Sequence, residues 1–159
     1  MLTQRSRYAL RAMLFLAEAP AGSPPIPMNR IAAEANVPRK FLELILVQLR
    51  ASGVIRSKVG KGGGHELLQD PAGISLLAIL RTIDGPIAPL PCLSLTAYSR
   101  CDDCTDEATC GPRRLMMGVH QASLEVMSNT TLADALETTG SRSRAPGKAK
   151  KSSPKSRKS

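Results

Sequence analysis

The chain has 159 residues, of which 42% are hydrophobic, 3% are aromatic and none is Trp, and its formal net charge is +9. This length allows one domain with a modest core, and the scarcity of aromatic residues means that the core has to be aliphatic. The apolar run at residues 12–17 is too short for a membrane span and has charged residues at both ends, so we expect a cytoplasmic protein with no membrane partner and no signal peptide.

Apolar residues recur at helical spacing in the first third of the chain and predict three helices. Residues 5–19 form the first helix, which ends at Pro20 and a proline-rich loop. The second helix, residues 28–35, is separated from the third, residues 39–51, by Asn36-Val37-Pro38. Because Asn tolerates the left-handed backbone that a tight turn between helices requires, we predict a helix-turn-helix unit.

Two short strand-like runs, residues 54–59 and 65–68, enclose the glycine-rich residues 60–64 and predict a β-hairpin. A fourth helix follows at residues 76–84, with Ser75 as its N-cap. A short helix, a tight turn, a longer helix and a hairpin, in this order, are typical of a winged helix-turn-helix domain. The predicted fold class is therefore mainly α with a small β-hairpin wing.

A long helix and a short one are predicted in the C-terminal half of the chain. Pro112 suits the first turn of a helix that ends near residue 128, and residues 132–136 form the short helix. His120 is expected on the surface of the long helix. Apolar residues on the long helix recur at spacings of four, three and four, the pattern of a helix–helix seam within one chain or between two. They are Leu115, Val119, Ala122 and Val126.

The chain ends in a strongly basic segment. Eight of the 22 Lys and Arg residues lie in residues 141–159, which contain no Asp or Glu, so the rest of the chain has 14 basic and 13 acidic residues and is nearly neutral. The low-complexity composition of Ser, Lys, Arg and Pro is typical of disorder. We therefore expect residues 139–159 to be a disordered basic tail, which attracts phosphate groups without reading a sequence.

The third helix and the hairpin together predict a DNA-binding surface. A recognition helix presents its N-terminal side chains to base edges in the major groove, where Arg and Lys contact guanine or phosphate and Glu accepts from cytosine. Glycines let the wing approach the sugar–phosphate backbone. Residues 60–65 lack the ending of a P-loop and precede a strand, which excludes a nucleotide-phosphate loop. The candidate DNA-binding residues are Pro38, Arg39, Lys40, Glu43, Arg56, Lys58, Lys61, Gly62 and Gly63.

All four cysteines lie in one polar segment, residues 92–110, and they are the candidate metal or cofactor ligands Cys92, Cys101, Cys104 and Cys110. This segment cannot fold around a core of its own, so a bound metal would order it. Thiolates are suitable ligands for zinc and for iron–sulfur clusters, and the spacing does not choose between them. A redox pair of Cys101 and Cys104 without metal is the third alternative, although no βαβ pattern surrounds it to indicate a redox enzyme.

Three segments together resemble the Rrf2 family of winged-helix regulators, which includes IscR-, NsrR- and RirA-like repressors. They are Ile-Ala-Ala-Glu-Ala-Asn-Val at residues 31–37, Leu-Arg-Ala-Ser-Gly-Val-Ile at residues 49–55, and the glycines of residues 60–64. The resemblance covers roughly residues 1–136. It implies that the protein binds double-stranded DNA as a homodimer formed through the long helix. His65 departs from the family, in which Tyr or Phe is usual at this position.

The resemblance also implies an iron–sulfur cluster in the cysteine segment. By this likeness Cys92, Cys104 and Cys110 are the ligands, and the fourth ligand is either Cys101 or a residue elsewhere. We therefore interpret the chain as a transcriptional repressor, not an enzyme, whose operator affinity is modulated by a two-iron or four-iron cluster that senses iron, oxidants or nitric oxide. The alternatives are a regulator that is stabilised by zinc or switched by its thiols, and a dithiol redox enzyme.

The same interpretation divides the chain into four parts. They are a winged helix-turn-helix domain at residues 1–84, a cysteine-rich cluster-binding loop at residues 85–111, a dimerisation helix region at residues 112–138 and the basic tail at residues 139–159.

Overall fold

Six α-helices, two short 3-10 turns (Pro71–Gly73 and Pro91–Leu93) and one β-hairpin make up the regular structure of residues 2–142, the part of the chain that this computed structural model describes. The prediction of a mainly helical fold with a hairpin wing is confirmed. No helix in these residues is long and apolar enough to cross a membrane. The helices are α1 (Gln4–Ala17), α2 (Met28–Glu34), α3 (Arg39–Ala51), α4 (Leu76–Asp84), α5 (Gly111–Asn129) and α6 (Leu132–Arg142), and the strands are β1 (Ile55–Lys58) and β2 (Gly64–Leu67).

The core lies between α1, α3 and α4 and is aliphatic, as the composition predicts. Side chains at helical spacing on α1 are buried against the inner face of α3. Burial of a Leu or Ile side chain contributes about 1.5–3 kcal/mol, so this contact holds α3 in one orientation with its opposite face outward. The buried residues are Ala9, Ala12, Met13 and Leu16 on α1, and Leu42, Ile45, Leu46 and Leu49 on α3.

The turn between α2 and α3 has the predicted left-handed residue. Asn36 has a φ of 49°, and the amide of Val37 donates a hydrogen bond of 2.9 Å to the carbonyl oxygen of Ala32. Pro38 has an extended backbone and no amide hydrogen, so it ends the turn and α3 begins at Arg39, as predicted.

The wing is an antiparallel hairpin, and one residue of the proline-rich loop pairs with its second strand as an isolated β-bridge. β1 and β2 pair along all four of their residues. On the other side of β2, Ile26 and His65 exchange two backbone hydrogen bonds of 2.8 Å. This pairing, which the sequence analysis did not predict, anchors the wing to the loop that precedes α2.

Two features of the C-terminal helices correct the sequence predictions. His120, expected on the surface of α5, is buried because its side of the helix packs against α4. Helix α6 continues to Arg142, beyond the predicted end at residue 136 and into the predicted tail. Reciprocal hydrogen bonds between Thr131 and Asp134 close its first turn, and a helix that is nucleated in this way propagates readily. The rest of the predicted tail, residues 143–159, lies outside the described residues.

Candidate DNA-binding surface and cysteine loop

The outward face of α3 is a stripe of four exposed side chains, Lys40, Glu43, Leu44 and Val47, which recur at positions i, i+3, i+4 and i+7. This stripe lies opposite the buried one because a helix repeats every 3.6 residues. The sequence analysis identified Lys40 and Glu43 but missed Leu44 and Val47, since it searched this helix for charged side chains only. The periodicity that placed the buried residues would have placed these two on the outer face.

Positive charge is concentrated at the N-terminal end of α3. Arg39 and Lys40 are exposed in its first turn, where the helix dipole and free amide groups also attract phosphate. Arg39 Nε lies 3.4 Å from Glu43 Oε1, so the acidic side chain of this face is paired with a cation one turn earlier. An exposed pair of this spacing is worth only about 0.3–0.5 kcal/mol, and both side chains can therefore exchange partners at low cost.

The wing presents two lysines close to its tip. No carboxylate in residues 2–142 forms an ion pair with Lys58 or Lys61, and both side chains are exposed. Arg56 differs from them because its Nε lies 2.9 Å from Glu66 Oε1, which offsets its charge. The basic surface of the wing is therefore formed mainly by the two lysines.

The backbone geometry of the hairpin accounts for the glycines in the wing. Gly60 and Gly62 have φ values of 100° and 80°, which glycine adopts without steric cost. A Cβ at Gly63 would collide with the carbonyl oxygen of Lys58, and a Cβ at Gly64 would collide with the backbone of Ile26. Contact of Gly62 and Gly63 with the DNA backbone stays a prediction, since the turn alone requires glycine at both positions.

His65 is a residue of β2 in the wing, and its side chain lies near α3. Its Nδ1 is 2.9 Å from Ser57 Oγ on the neighbouring strand. Burial lowers the pKa of His65, and the guanidinium of Arg50 on α3 lowers it further. Both effects favour the uncharged form of the imidazole over the charged one.

Two of the four cysteine side chains contact each other. Cys92 is buried in a 3-10 turn, Pro91–Leu93, and the other three cysteines are partly exposed. The pKa of the Cys101 thiol is raised by partial burial and then by the neighbouring Cys92 side chain. The amide of Cys104 donates a hydrogen bond of 3.1 Å to the carbonyl oxygen of Cys101, so these two residues share one tight turn.

Two guanidinium groups lie beside these thiols. Arg100 donates hydrogen bonds of 2.9 and 2.8 Å to the carbonyl oxygens of Cys104 and Thr105, and the nearby Cys104 side chain raises the pKa of Arg100. Arg113, in the first turn of α5, donates to the carbonyl oxygen of Cys92, and the Cys92 side chain raises the pKa of Arg113.

The cysteine loop is not arranged as a metal site in this conformation. Residues 2–142 contain no group of three Cys, His, Asp or Glu side chains placed to hold one metal ion. Cys110 is the N-cap of α5, and Cys92 contacts Cys101. The donors suit zinc or an iron–sulfur cluster by their chemistry, but Cys92, Cys104 and Cys110 are not gathered as a cluster would require.

The apolar stripe of α5 faces outward. Leu115, Val119 and Val126 are 79%, 57% and 64% exposed, and Ala122 is exposed as well. The opposite face of α5 packs against α4 and the turn Pro91–Leu93. The predicted helix–helix seam therefore has no partner element within residues 2–142, which favours its use between two chains.

Comparisons with known proteins point to one family. The family model described as "Rrf2: Iron-dependent Transcriptional regulator" matches residues 2–138. A protein of Rhodobacter capsulatus that is named as an rrf2-like HTH-type transcriptional regulator is 46% identical over 138 residues, which are 86% of this chain and 92% of that protein.

Solved structures of similar fold agree with this match. The structure of CymR (YrzC), the global cysteine regulator of Bacillus subtilis, superposes with a TM-score of 0.70 and 29% sequence identity, covering 87% of this chain and 97% of that chain. The structure of IscR from T. potens superposes with a TM-score of 0.69 and 24% identity, covering 92% and 93%. The similarity to IscR concerns the fold alone. Both structures agree with the predicted winged-helix fold.

Proposed function

Because the chain belongs to the Rrf2 family of helix-turn-helix transcriptional regulators and is not an enzyme, we propose that it is a cytoplasmic, homodimeric repressor whose affinity for a DNA operator changes with the state of its cysteine loop. On this basis residues 1–84 bind DNA, residues 85–111 respond to the chemical signal, and residues 112–138 form the dimer. The observation that carries DNA binding is the outward face of α3, which has Arg39 and Lys40 at its N-terminal end.

Homodimer formation is supported by the exposed stripe of α5. Large apolar side chains at a/d spacing are costly to leave in water and pack well against a second helix. A two-fold axis along this seam would present two copies of α3 to the two halves of a near-palindromic operator. The lysines of the two wings would then contact phosphates on the flanks.

Coupling between the loop and the dimer helix is supported by the contacts of Cys92. This residue lies in the turn Pro91–Leu93, which packs on α5, and its carbonyl oxygen accepts a hydrogen bond from Arg113 in the first turn of that helix. A chemical change at Cys92 would therefore act directly on the start of α5. Since α5 also packs on α4 of the DNA-binding domain, the change can shift the two recognition helices relative to each other.

Two chemistries are candidates for that change. An iron–sulfur cluster, two-iron or four-iron, is supported by the four thiols, by the resemblance and by the iron-dependent regulators that the family model describes. When bound, such a cluster supplies a redox-active centre whose loss frees the thiols. The ligands would have to leave their present positions to gather around it.

The second chemistry is a disulfide, and the contact between Cys92 and Cys101 favours it. A thiolate of the pair attacks the O–O bond of a hydroperoxide, which releases an alcohol or water and leaves a sulfenic acid. The other thiol then attacks that sulfur, forms the S–S bond and releases water. Two electrons pass from the sulfurs to the peroxide, and the two thiol protons leave with the products.

Anaerobic purification followed by analysis for iron, sulfide and zinc separates these chemistries. Iron and sulfide with absorbance near ~400 nm, from charge transfer between thiolate and iron, support the cluster. Protein without metal that forms a disulfide of Cys92 and Cys101 after hydroperoxide supports the thiol pair. Cys110→Ser is the matched variant, because it removes a proposed cluster ligand and leaves the contacting pair intact.

The DNA-binding part of the proposal is tested separately, by selection of duplexes from a randomised library with the full-length protein. We expect enrichment of one near-palindromic sequence. Failure to enrich any sequence would contradict the proposed function.

A further inference from the structure

Two exposed apolar side chains lie on the outward face of α3, the proposed recognition helix. Leu44 and Val47 are 62% and 55% exposed, and they lie about one turn apart, following the charged residues Lys40 and Glu43 of the same stripe. A single exposed Leu on a protein surface is ordinary. Two such residues at the centre of the face that would enter a DNA groove are a more specific arrangement.

The major groove offers one apolar group to which such side chains are complementary. Each base presents hydrogen-bond donors or acceptors there, but thymine alone adds a C5 methyl group, which apolar side chains contact. We propose that Leu44 and Val47 read thymine methyl groups, so that each operator half-site has thymine at defined positions. This inference rests on the proposed function, since it assigns specificity to the same DNA-binding surface.

The spacing of the two residues suits neighbouring base pairs. Leu44 and Val47 are separated by three residues, which is about 4.5 Å along the helix axis. Successive bases of a strand are about 3.4 Å apart, so the two side chains can reach adjacent steps. Lys40, about 6 Å before Leu44 along the axis, would then contact guanine or phosphate beside the thymines.

The surrounding charge favours DNA over a protein as the occupant of this face. Arg39 and Lys40 precede the apolar pair, and Lys58 and Lys61 project from the wing. The acidic residue of the stripe, Glu43, is paired with Arg39. An apolar centre with basic flanks is complementary to a thymine-containing groove between two phosphate backbones.

Replacement of thymine by deoxyuridine tests the proposal, because it removes the methyl group and keeps every donor and acceptor. The duplex that the full-length protein selects from a randomised library is the probe, and each thymine is replaced in turn. We expect about a fourfold loss of affinity at one or two positions of each half-site, the factor that burial of one methyl group gives. Leu44→Ala should abolish the loss at one such position and Val47→Ala at its neighbour.

Leu68→Ala is the matched control, since Leu68 is 52% exposed but lies after β2, outside α3, the cysteine loop and the stripe of α5. It should retain the full discrimination between thymine and deoxyuridine. Normal operator binding without any effect of deoxyuridine would overturn the inference and leave the proposed function intact. An effect that persists unchanged in both alanine variants would also overturn it, as would a change in oligomeric mass of these variants without DNA. Failure of the wild-type protein to bind any duplex would instead contradict the proposed function itself.

Discussion

The side chain of Arg113 donates a hydrogen bond to the backbone carbonyl oxygen of Cys92. Its Nη1 also lies 3.3 Å from Glu107 Oε2, so one guanidinium in the first turn of α5 holds both the beginning and the later part of the cysteine loop. Cys92 in turn contacts Cys101. The loop is thus attached to the proposed dimer helix through a residue that the sequence analysis did not single out.

Replacement of Arg113 by Gln should loosen this attachment. We expect faster amide hydrogen exchange in residues 92–110, because the loop loses both its hydrogen bond and its ion pair, with little change in the core helices. Hydrogen exchange followed by mass spectrometry measures this. Arg114→Gln is the control, since that side chain is exposed on the same helix and should leave exchange in the loop unchanged. Equal exchange in the two variants would contradict the role of Arg113.

Introduction of a charge into the stripe of α5 should separate the proposed dimer. Val119→Asp would bury an unpaired carboxylate in the seam, which is strongly unfavourable, so the mass measured by light scattering should fall by half. Gln121→Asp adds the same charge to an exposed position outside the stripe and should leave the dimer intact. A Val119→Asp variant that keeps the wild-type mass would place the interface elsewhere.

The wing lysines should contribute to the salt dependence of DNA binding. If Lys61 contacts one phosphate, Lys61→Ala should reduce the slope of log affinity against log salt concentration by about 0.9. Arg56→Ala should change the slope less, because Glu66 offsets the charge of Arg56. Fluorescence anisotropy with a labelled duplex at several KCl concentrations gives both slopes. A slope that is unaffected by Lys61→Ala would show that Lys61 does not contact a phosphate.

Gly64 should not tolerate a side chain. Gly64→Ala forces a Cβ against the backbone of Ile26, and strain of this kind typically costs about 1–3 kcal/mol. The variant should therefore melt several degrees below the wild type. At Gly73 an added Cβ would meet only the Gln69 side chain, at an ordinary 3.8 Å, so Gly73→Ala should melt close to the wild type. Equal melting temperatures for the two variants would contradict the close approach of Ile26 to β2.

The helices could be predicted because their signals are local. Apolar periodicity placed the core faces of α1 and α3, and Pro38 fixed the start of α3. The pairing of Ile26 with His65 could not be predicted in this way, since it joins residues 39 positions apart and Ile26 stands between two prolines. The burial of His120 depends on the packing of α5 on α4, which the pattern of one helix does not reveal.

The candidate site was predicted unevenly for similar reasons. The basic residues of α3 and the wing could be placed by motif order, whereas Leu44 and Val47 required the orientation of α3 relative to the core. The cysteine spacing identified a group of thiols but not their arrangement. Contact between Cys92 and Cys101 across eight intervening residues depends on loop conformation, which spacing does not determine.

The central claim is that the cysteine loop controls DNA affinity, and one titration tests it most directly. Protein purified anaerobically is titrated against its selected operator before and after treatment with a hydroperoxide, which either destroys a cluster or joins Cys92 to Cys101. The account predicts a change in operator affinity of about tenfold, which corresponds to a coupling free energy of about 1.4 kcal/mol, and no change for a variant that carries Cys92→Ser and Cys101→Ser together. Identical wild-type affinities before and after treatment would contradict it.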